Sequence, residues 1–177
     1  FNVYNLLASL TVCAELGVHG EALARAVKKV KNVKGRFSVL KAEKGTIIID
    51  YAHTPDGLQQ LLSTARTITK SRLITVFGCG GERDKAKRAL MGEIAENYSD
   101  YVVVTTDNPR GENAEDILRD IEVGFAGRNY KCILDRTEAI IHAISEMVEG
   151  DTVVIAGKGN EEYLEVKGKK IPYSDFD

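Results

Sequence analysis

Between Val104 and Asn113 the sequence runs Asp107-Asn108-Pro109-Arg110-Gly111-Glu112, which sets a carboxylate, an amide and a guanidinium side by side. A guanidinium is a planar fork of N–H donors suited to a carboxylate, and an ionised Asp accepts from an ammonium. Together they suit an amino acid better than a sugar or a base. A second reading fits the same residues: a helix-capping loop that carries a surface Arg.

Similar clusters recur along the chain. In Asp50-Tyr51-Ala52-His53-Thr54-Pro55-Asp56 the Asp50 carboxylate can accept from a ribose hydroxyl or an Arg, and Tyr51 and His53 can meet an aromatic ring. Alternatively, Asp50 and His53 serve their own loop backbone. The stretch Gly78-Cys79-Gly80-Gly81-Glu82-Arg83-Asp84-Lys85 has neither the Gly-x-Gly-x-x-Gly spacing of a dinucleotide fingerprint nor the Lys-Ser/Thr ending of a P-loop. Its glycines allow close backbone approach, and Arg83 can pair with a carboxylate or a phosphate. Lys85, Lys87 and Arg88 are expected on a solvated helix face. Cys79 has no His within its motif and reads as a small buried residue rather than a nucleophile. In Gly157-Lys158-Gly159-Asn160-Glu161-Glu162 the resemblance to a phosphate loop is superficial. Glu161 there can receive an ammonium or lie on the surface.

The elements that must position these residues follow from periodicity. Leu6, Leu7, Leu10, Val12, Cys13 and Leu16 predict a helix stopped by Gly17, and Leu23, Ala24, Val27 and Val30 a second one. Lys28, Lys29, Lys31 and Lys34 read as its solvated, C-terminal charge. A boundary is expected at Lys34-Gly35-Arg36, dividing the chain into residues 1–34 and 35–177. Beyond it, strands are predicted at Phe37–Lys41, Thr46–Asp50, Leu73–Phe77, Tyr101–Thr105, Tyr130–Leu134 and Asp151–Ala156. Helices are predicted from Thr54-Pro55 to Thr69, Asp84 to Tyr98, Ala114 to Ala126 and Asp135 to Met147, with a terminal hairpin through Gly168. Strands alternating with helices, and strands that are near-continuous apolar runs, give an α/β class: a Rossmann-like, mostly parallel sheet flanked by helices. The polar clusters fall at the C-terminal ends of strands, where such sheets bind ligands.

Composition narrows the function classes. A net charge of −2 over 177 residues provides no drive toward nucleic acid or anionic membrane. No apolar stretch approaches a membrane span, and the first residues do not read as a signal peptide. Without an initiator Met the chain reads as a piece of a longer one. Cys13, Cys79 and Cys132 are too scattered for a disulfide framework or a metal pair, which suggests a reducing compartment, the cytoplasm.

Six motifs occur in one order: Phe1-Asn2-Val3-Tyr4-Asn5, Gly35-Arg36-Phe37, Asp50 to Asp56, Gly78 to Asp84, Asp107 to Arg110, and Gly157 to Glu161. In that order the chain resembles the carboxy-terminal part of a Mur ligase, of the type that adds meso-diaminopimelate. The resemblance implies that residues 1–34 are the helical end of a central ATP-binding domain and 35–177 the C-terminal domain. It assigns Arg83, Asp107, Asn108, Arg110, Gly157 and Glu161 to diaminopimelate, with Arg110 and Asn108 at its distal end. Asn5, Arg36, Asp50, Tyr51 and His53 fall to ATP. The implied reaction is ATP- and Mg2+-dependent amide formation on a UDP-linked muramoyl dipeptide through an acyl phosphate, in a monomeric enzyme. Asn160 stands where such ligases usually have His, and Ala86 and Ala89 where Gly and Pro are common. The P-loop, the modified lysine and the magnesium ligands of the central domain lie outside this sequence, so the chain alone is expected to turn over no ATP.

Overall fold

The computed structural model describes residues 2–177, so Phe1 of the first motif lies outside the described residues. It divides into a helical unit, Phe1–Val33, and an α/β unit, Lys34–Asp177. The helical unit consists of α1 (Asn2–Glu15) and α2 (Gly20–Val27). Leu6, Leu10 and Cys13 are part-buried, while Leu7, Val12 and Leu16 of the expected apolar face are exposed.

The second unit continues with β1 (Ser38–Lys41), β2 (Gly45–Asp50), α3 (Pro55–Ile68), β3 (Leu73–Phe77), α4 (Ala86–Tyr98), β4 (Tyr101–Val104) and α5 (Ala114–Glu122). It ends with β5 (Tyr130–Cys132), α6 (Arg136–Ser145), β6 (Asp151–Ala156) and a hairpin of β7 (Tyr163–Val166) and β8 (Lys169–Pro172). The sheet order is β1-β2-β6-β3-β4-β5, parallel except for the antiparallel edge β1. The expected mostly parallel α/β sheet is therefore what forms.

The two faces of the sheet alternate residue by residue, as the pleat requires. Leu73, Phe77, Val102, Val104, Val154 and Ala156 pack beneath α3, α4 and α5, contributed by Leu58, Leu62, Met91, Ala95, Leu118 and Ile121. Ile74, Val76, Val103, Val153 and Ile155 pack against Ala139, Ala143 and Met147 at the other face. Strands buried on both faces explain their unbroken apolar runs. The helix starts are set locally: Thr54 accepts from Gly57 N–H at 3.2 Å ahead of Pro55, and Asp135 accepts from Glu138 N–H at 2.9 Å.

Four expectations change. Phe37 is not a strand residue: its φ of 51° is left-handed, and its N–H donates to Asp50 Oδ2 at 2.7 Å. Helix α5 stops at Glu122 rather than near Ala126, because Gly124 presses on α4 so closely that a Cβ would sit 1.8 Å from Ala89 O. Arg88 is not on a solvated face but fully buried. It bonds Glu112 and Asp120 at 2.8–3.0 Å, pairings that a sequence 24 and 32 residues removed does not display. Lys87 is half-buried and donates to His53 O at 2.8 Å.

Candidate active site

In the sheet order, β2, β6, β3 and β4 are consecutive neighbours, so the loops leaving their C-terminal ends form one continuous row. They enclose a cavity of about 280 Å³. The β2 loop contributes Tyr51, His53 and Thr54; the β3 loop Gly80, Arg83 and Asp84; the β4 loop Asp107, Asn108 and Arg110; the β6 loop Gly157 and Glu161; and Lys87 reaches in from α4. Arg83, Lys87 and Arg110 face Asp84, Asp107 and Glu161 across it, a charge-balanced lining. Such a lining suits a zwitterion; a polyphosphate would call for cationic excess.

Asn108 is buried, and three bonds fix the direction of its side-chain amide. Its Nδ2 donates to Glu161 Oε2 at 2.9 Å, and its Oδ1 accepts from Lys158 Nζ at 3.1 Å and from Glu165 N–H at 2.9 Å. Asp107 Oδ1 accepts from Asn108 N–H at 2.6 Å. Its Oδ2 lies where a Cβ on Gly157 would come within 2.7 Å, and Gly157 has a φ of 116°, so only glycine fits that approach.

Arg110 also adopts a left-handed backbone, φ 53°. The hairpin holds it there: its N–H donates to Glu165 O at 2.9 Å, and its carbonyl accepts from Lys167 N–H at 2.7 Å. The guanidinium donates through Nη1 to Gly81 O at 2.7 Å, with Nε 3.3 Å from Glu165 Oε2. The fork is thus aimed from two sides. Arg83 is exposed and makes a long 3.5 Å contact from Nη1 to Glu82 O.

Behind the cavity, Arg136 and Asp175 form a fully buried pair at 2.8 Å, and Arg136 also donates to Ala156 O and Thr106 O. This fastens the ends of β4 and β6 to the chain's last residues. Glu112 accepts from Arg88 and from Glu82 N–H and lies 3.3 Å from Lys85. The Arg88 guanidinium above all holds its carboxyl down to about 2. It ties the β3 loop to the β4 loop. Cys79 is buried beside Met91, and desolvation pushes its thiol up to about 12, which removes it as a nucleophile at neutral pH.

The residues assigned to ATP divide. Asn5 lies on α1, in the helical unit. Arg36 covers the Tyr51 ring at 4.5 Å, and Tyr51 meets His53 edge-on at 4.7 Å. Asp50 accepts from Phe37 N–H and Ala52 N–H, one on each oxygen, and burial pushes its carboxyl above the ordinary range. A guanidinium–aromatic ladder fits a stacked base. Phosphates and Mg2+ fit less well: Lys158 is buried away from the cavity, and among the described residues no cluster of His, Cys, Asp or Glu could hold a metal ion. Among the described residues no helix is long and apolar enough to cross a membrane.

All six residues expected to hold the amino acid, Arg83, Asp107, Asn108, Arg110, Gly157 and Glu161, line this one cavity, together with Tyr51 and His53. Sequence reasoning missed Lys87, Lys158, Glu165 and Glu112 as parts of the site. Only Lys158, between two glycines after a strand, carried a local signal.

A sequence model described as "Mur ligase, glutamate ligase domain" matches residues 35–159. The chain is 49% identical over 176 residues to UDP-N-acetylmuramoyl-L-alanyl-D-glutamate–2,6-diaminopimelate ligase of Aquifex aeolicus (strain VF5), covering 99% of this chain and 36% of that protein. It is 46% identical over 179 residues to the ligase of the same name from Syntrophomonas wolfei, again 99% of this chain and 37% of the relative. A solved structure of a ligase of that name superposes with a TM-score of 0.77 at 40% identity, over 99% of this chain and 36% of that one. The Thermotoga maritima UDP-N-acetylmuramate-alanine ligase, 23% identical over 90% of this chain and 34% of its own, shares the fold with a TM-score of 0.65. The chain thus spans little more than a third of the length of these relatives.

Proposed function

The chain belongs to the Mur ligase family, and on that premise we propose that it is the C-terminal portion of an ATP-dependent ligase that adds meso-diaminopimelate to UDP-N-acetylmuramoyl-L-alanyl-D-glutamate. The observation that carries this reading is the gathering of Arg110, Asn108 and Glu161 at one charge-balanced cavity. Diaminopimelate has an amino-acid group at each end. One end must be held while the amine of the other attacks an activated carboxylate.

The chain's own part in that chemistry is binding and orientation. Arg110 and Arg83 take carboxylates, Arg110 with a fork already braced by Gly81 and Glu165. Asn108 offers a second N–H of its Nδ2, and Glu161 an oxygen, Oε1, to an ammonium. Asp107 offers Oδ2 beside Gly157. Holding the amino acid so that its free amine is aimed converts a bimolecular attack into an effectively intramolecular one. Arg36, Tyr51 and His53 would stack on the adenine of ATP, with Asp50 fixing the Arg36–Phe37 turn. ATP supplies the phosphoryl group that activates the acceptor carboxylate; its phosphates and Mg2+ would be bound by the remainder of the enzyme, of which residues 1–34 would be the adjoining helical end. A cytoplasmic, monomeric enzyme fits substrates that are all small and soluble.

The test is ADP release by the complete ligase with the UDP-linked dipeptide. Release that requires diaminopimelate supports the proposal; release that another amino acid satisfies equally contradicts it. The chain alone should release none.

A further inference from the structure

Lys158 belongs to a loop that walls the cavity, yet its side chain is fully buried. Its ammonium donates to Asn108 Oδ1 at 3.1 Å and Glu161 Oε2 at 3.0 Å, lies 3.9 Å from Asp107 Oδ1, and sits 5.7 Å from the Tyr163 ring centroid. Three of its neighbours are thus residues of the amino-acid pocket, which Lys158 itself does not line.

We propose that Lys158 is a positioning residue for the amino-acid substrate: it sets the direction of the Asn108 amide and anchors one oxygen of Glu161, so that the cavity meets an amino-acid end with a donor and an acceptor in fixed places. The inference rests on the function proposed above. An amide can be turned end for end at little cost unless its partners forbid it. Here two donors, Lys158 Nζ and Glu165 N–H, converge on Oδ1. A turned amide would set its NH2 against both. The Nδ2 must therefore point to Glu161, leaving one N–H for a ligand. Glu161 Oε2 in turn accepts from both Lys158 and Asn108, which leaves Oε1 with no bond among the described residues.

An ammonium is an uneconomical choice for mere filling, since a buried ion pair is often no more stable than apolar side chains of the same volume. What an apolar chain cannot do is orient an amide and brace a carboxylate. Nor is Lys158 placed to touch a phosphate, despite the glycines on either side of it, because none of its surface reaches the cavity.

The test compares Michaelis constants in the complete ligase carrying Lys158→Met. The constant for diaminopimelate should rise about 10- to 100-fold, the size expected for losing hydrogen bonds to a charged group. Those for ATP and the UDP-linked dipeptide should stay within about threefold, and Lys158→Arg, which keeps the charge and donors, should recover part of the loss. A Lys158→Met enzyme that loses thermal stability but keeps its diaminopimelate constant, or in which all three constants shift together, overturns the inference. If that variant does not fold, Lys158→Gln supplies the same comparison with a neutral donor. Wild-type enzyme that ligates no diaminopimelate overturns the proposed function and this inference together. Wild type that does, beside an unaltered variant, overturns the inference alone.

Discussion

Asn108 donates its side-chain amide to Glu161 at 2.9 Å, although 53 residues separate them. The two sit after β4 and β6, which flank β3 in the sheet, so this bond closes the cavity over the end of the strand between them. Replacing Asn108 with Asp changes the donor into an acceptor facing a carboxylate. Asn108→Asp should lower unfolding free energy at pH 7 by about 1–3 kcal/mol in urea titrations. Unaltered stability would mean that the Asn108–Glu161 bond does not hold the two loops together.

Arg110 should be irreplaceable by Lys. Its guanidinium serves Gly81 O and Glu165 at once, which a single ammonium on a flexible stem cannot match. In the complete ligase, Arg110→Lys should raise the Michaelis constant for diaminopimelate by about 10-fold or more. An equal rise for ATP would assign Arg110 to folding rather than to the amino acid.

Glu112 should mark its presence in acid. Its carboxyl is held down to about 2, chiefly by Arg88, whereas an unfolded Glu titrates near about 4.3. A native value below the unfolded one stabilises the fold above the unfolded value, and the contribution is lost as pH falls through the native value. Glu112→Gln should therefore cost about 2 kcal/mol at pH 6, because it leaves buried Arg88 with Asp120 alone. The gap to wild type should narrow below about pH 4.3 and vanish near about pH 2. Asp50, whose carboxyl is raised by burial, acts in the opposite sense and cancels in the difference. A gap constant from pH 6 to 3 would contradict this.

Cys79 should be silent toward thiol reagents in the folded protein. Burial beside Met91 and a thiol pushed up to about 12 leave almost no thiolate at neutral pH. With 5,5′-dithiobis(2-nitrobenzoate), Cys79 should react only on unfolding, as peptide mapping of the labelled site would show. Prompt labelling of the native protein at Cys79 would contradict its burial.

What was legible in the sequence follows the range of the forces involved. Thr54-Pro55 and the Asp135–Glu138 spacing announce helix starts because their bonds close within three residues. The central strands announce themselves because burial on both faces leaves them mostly apolar, as in Leu73–Phe77 and Tyr101–Val104. The polar turn at Asp107–Arg110 was visible as chemistry, since its functional groups are adjacent. What stayed hidden is held by contacts across the sheet. Arg88 reads as a solvated helix charge until Glu112 and Asp120 come beside it. Glu165 gives no sign, within an ordinary hairpin strand, that its backbone holds Asn108 and Arg110. Phe37 reads as a strand residue until Asp50 draws its N–H into a left-handed turn.

The most direct test of the central claim, that this cavity holds an amino acid with a carboxylate at its far end, is the ratio of kcat/KM for meso-diaminopimelate to that for L-lysine in the complete ligase. The braced Arg110 fork should favour diaminopimelate by about 100-fold or more, since lysine carries a distal ammonium but lacks the carboxylate beside it that the guanidinium would bind. A ratio near one would contradict it.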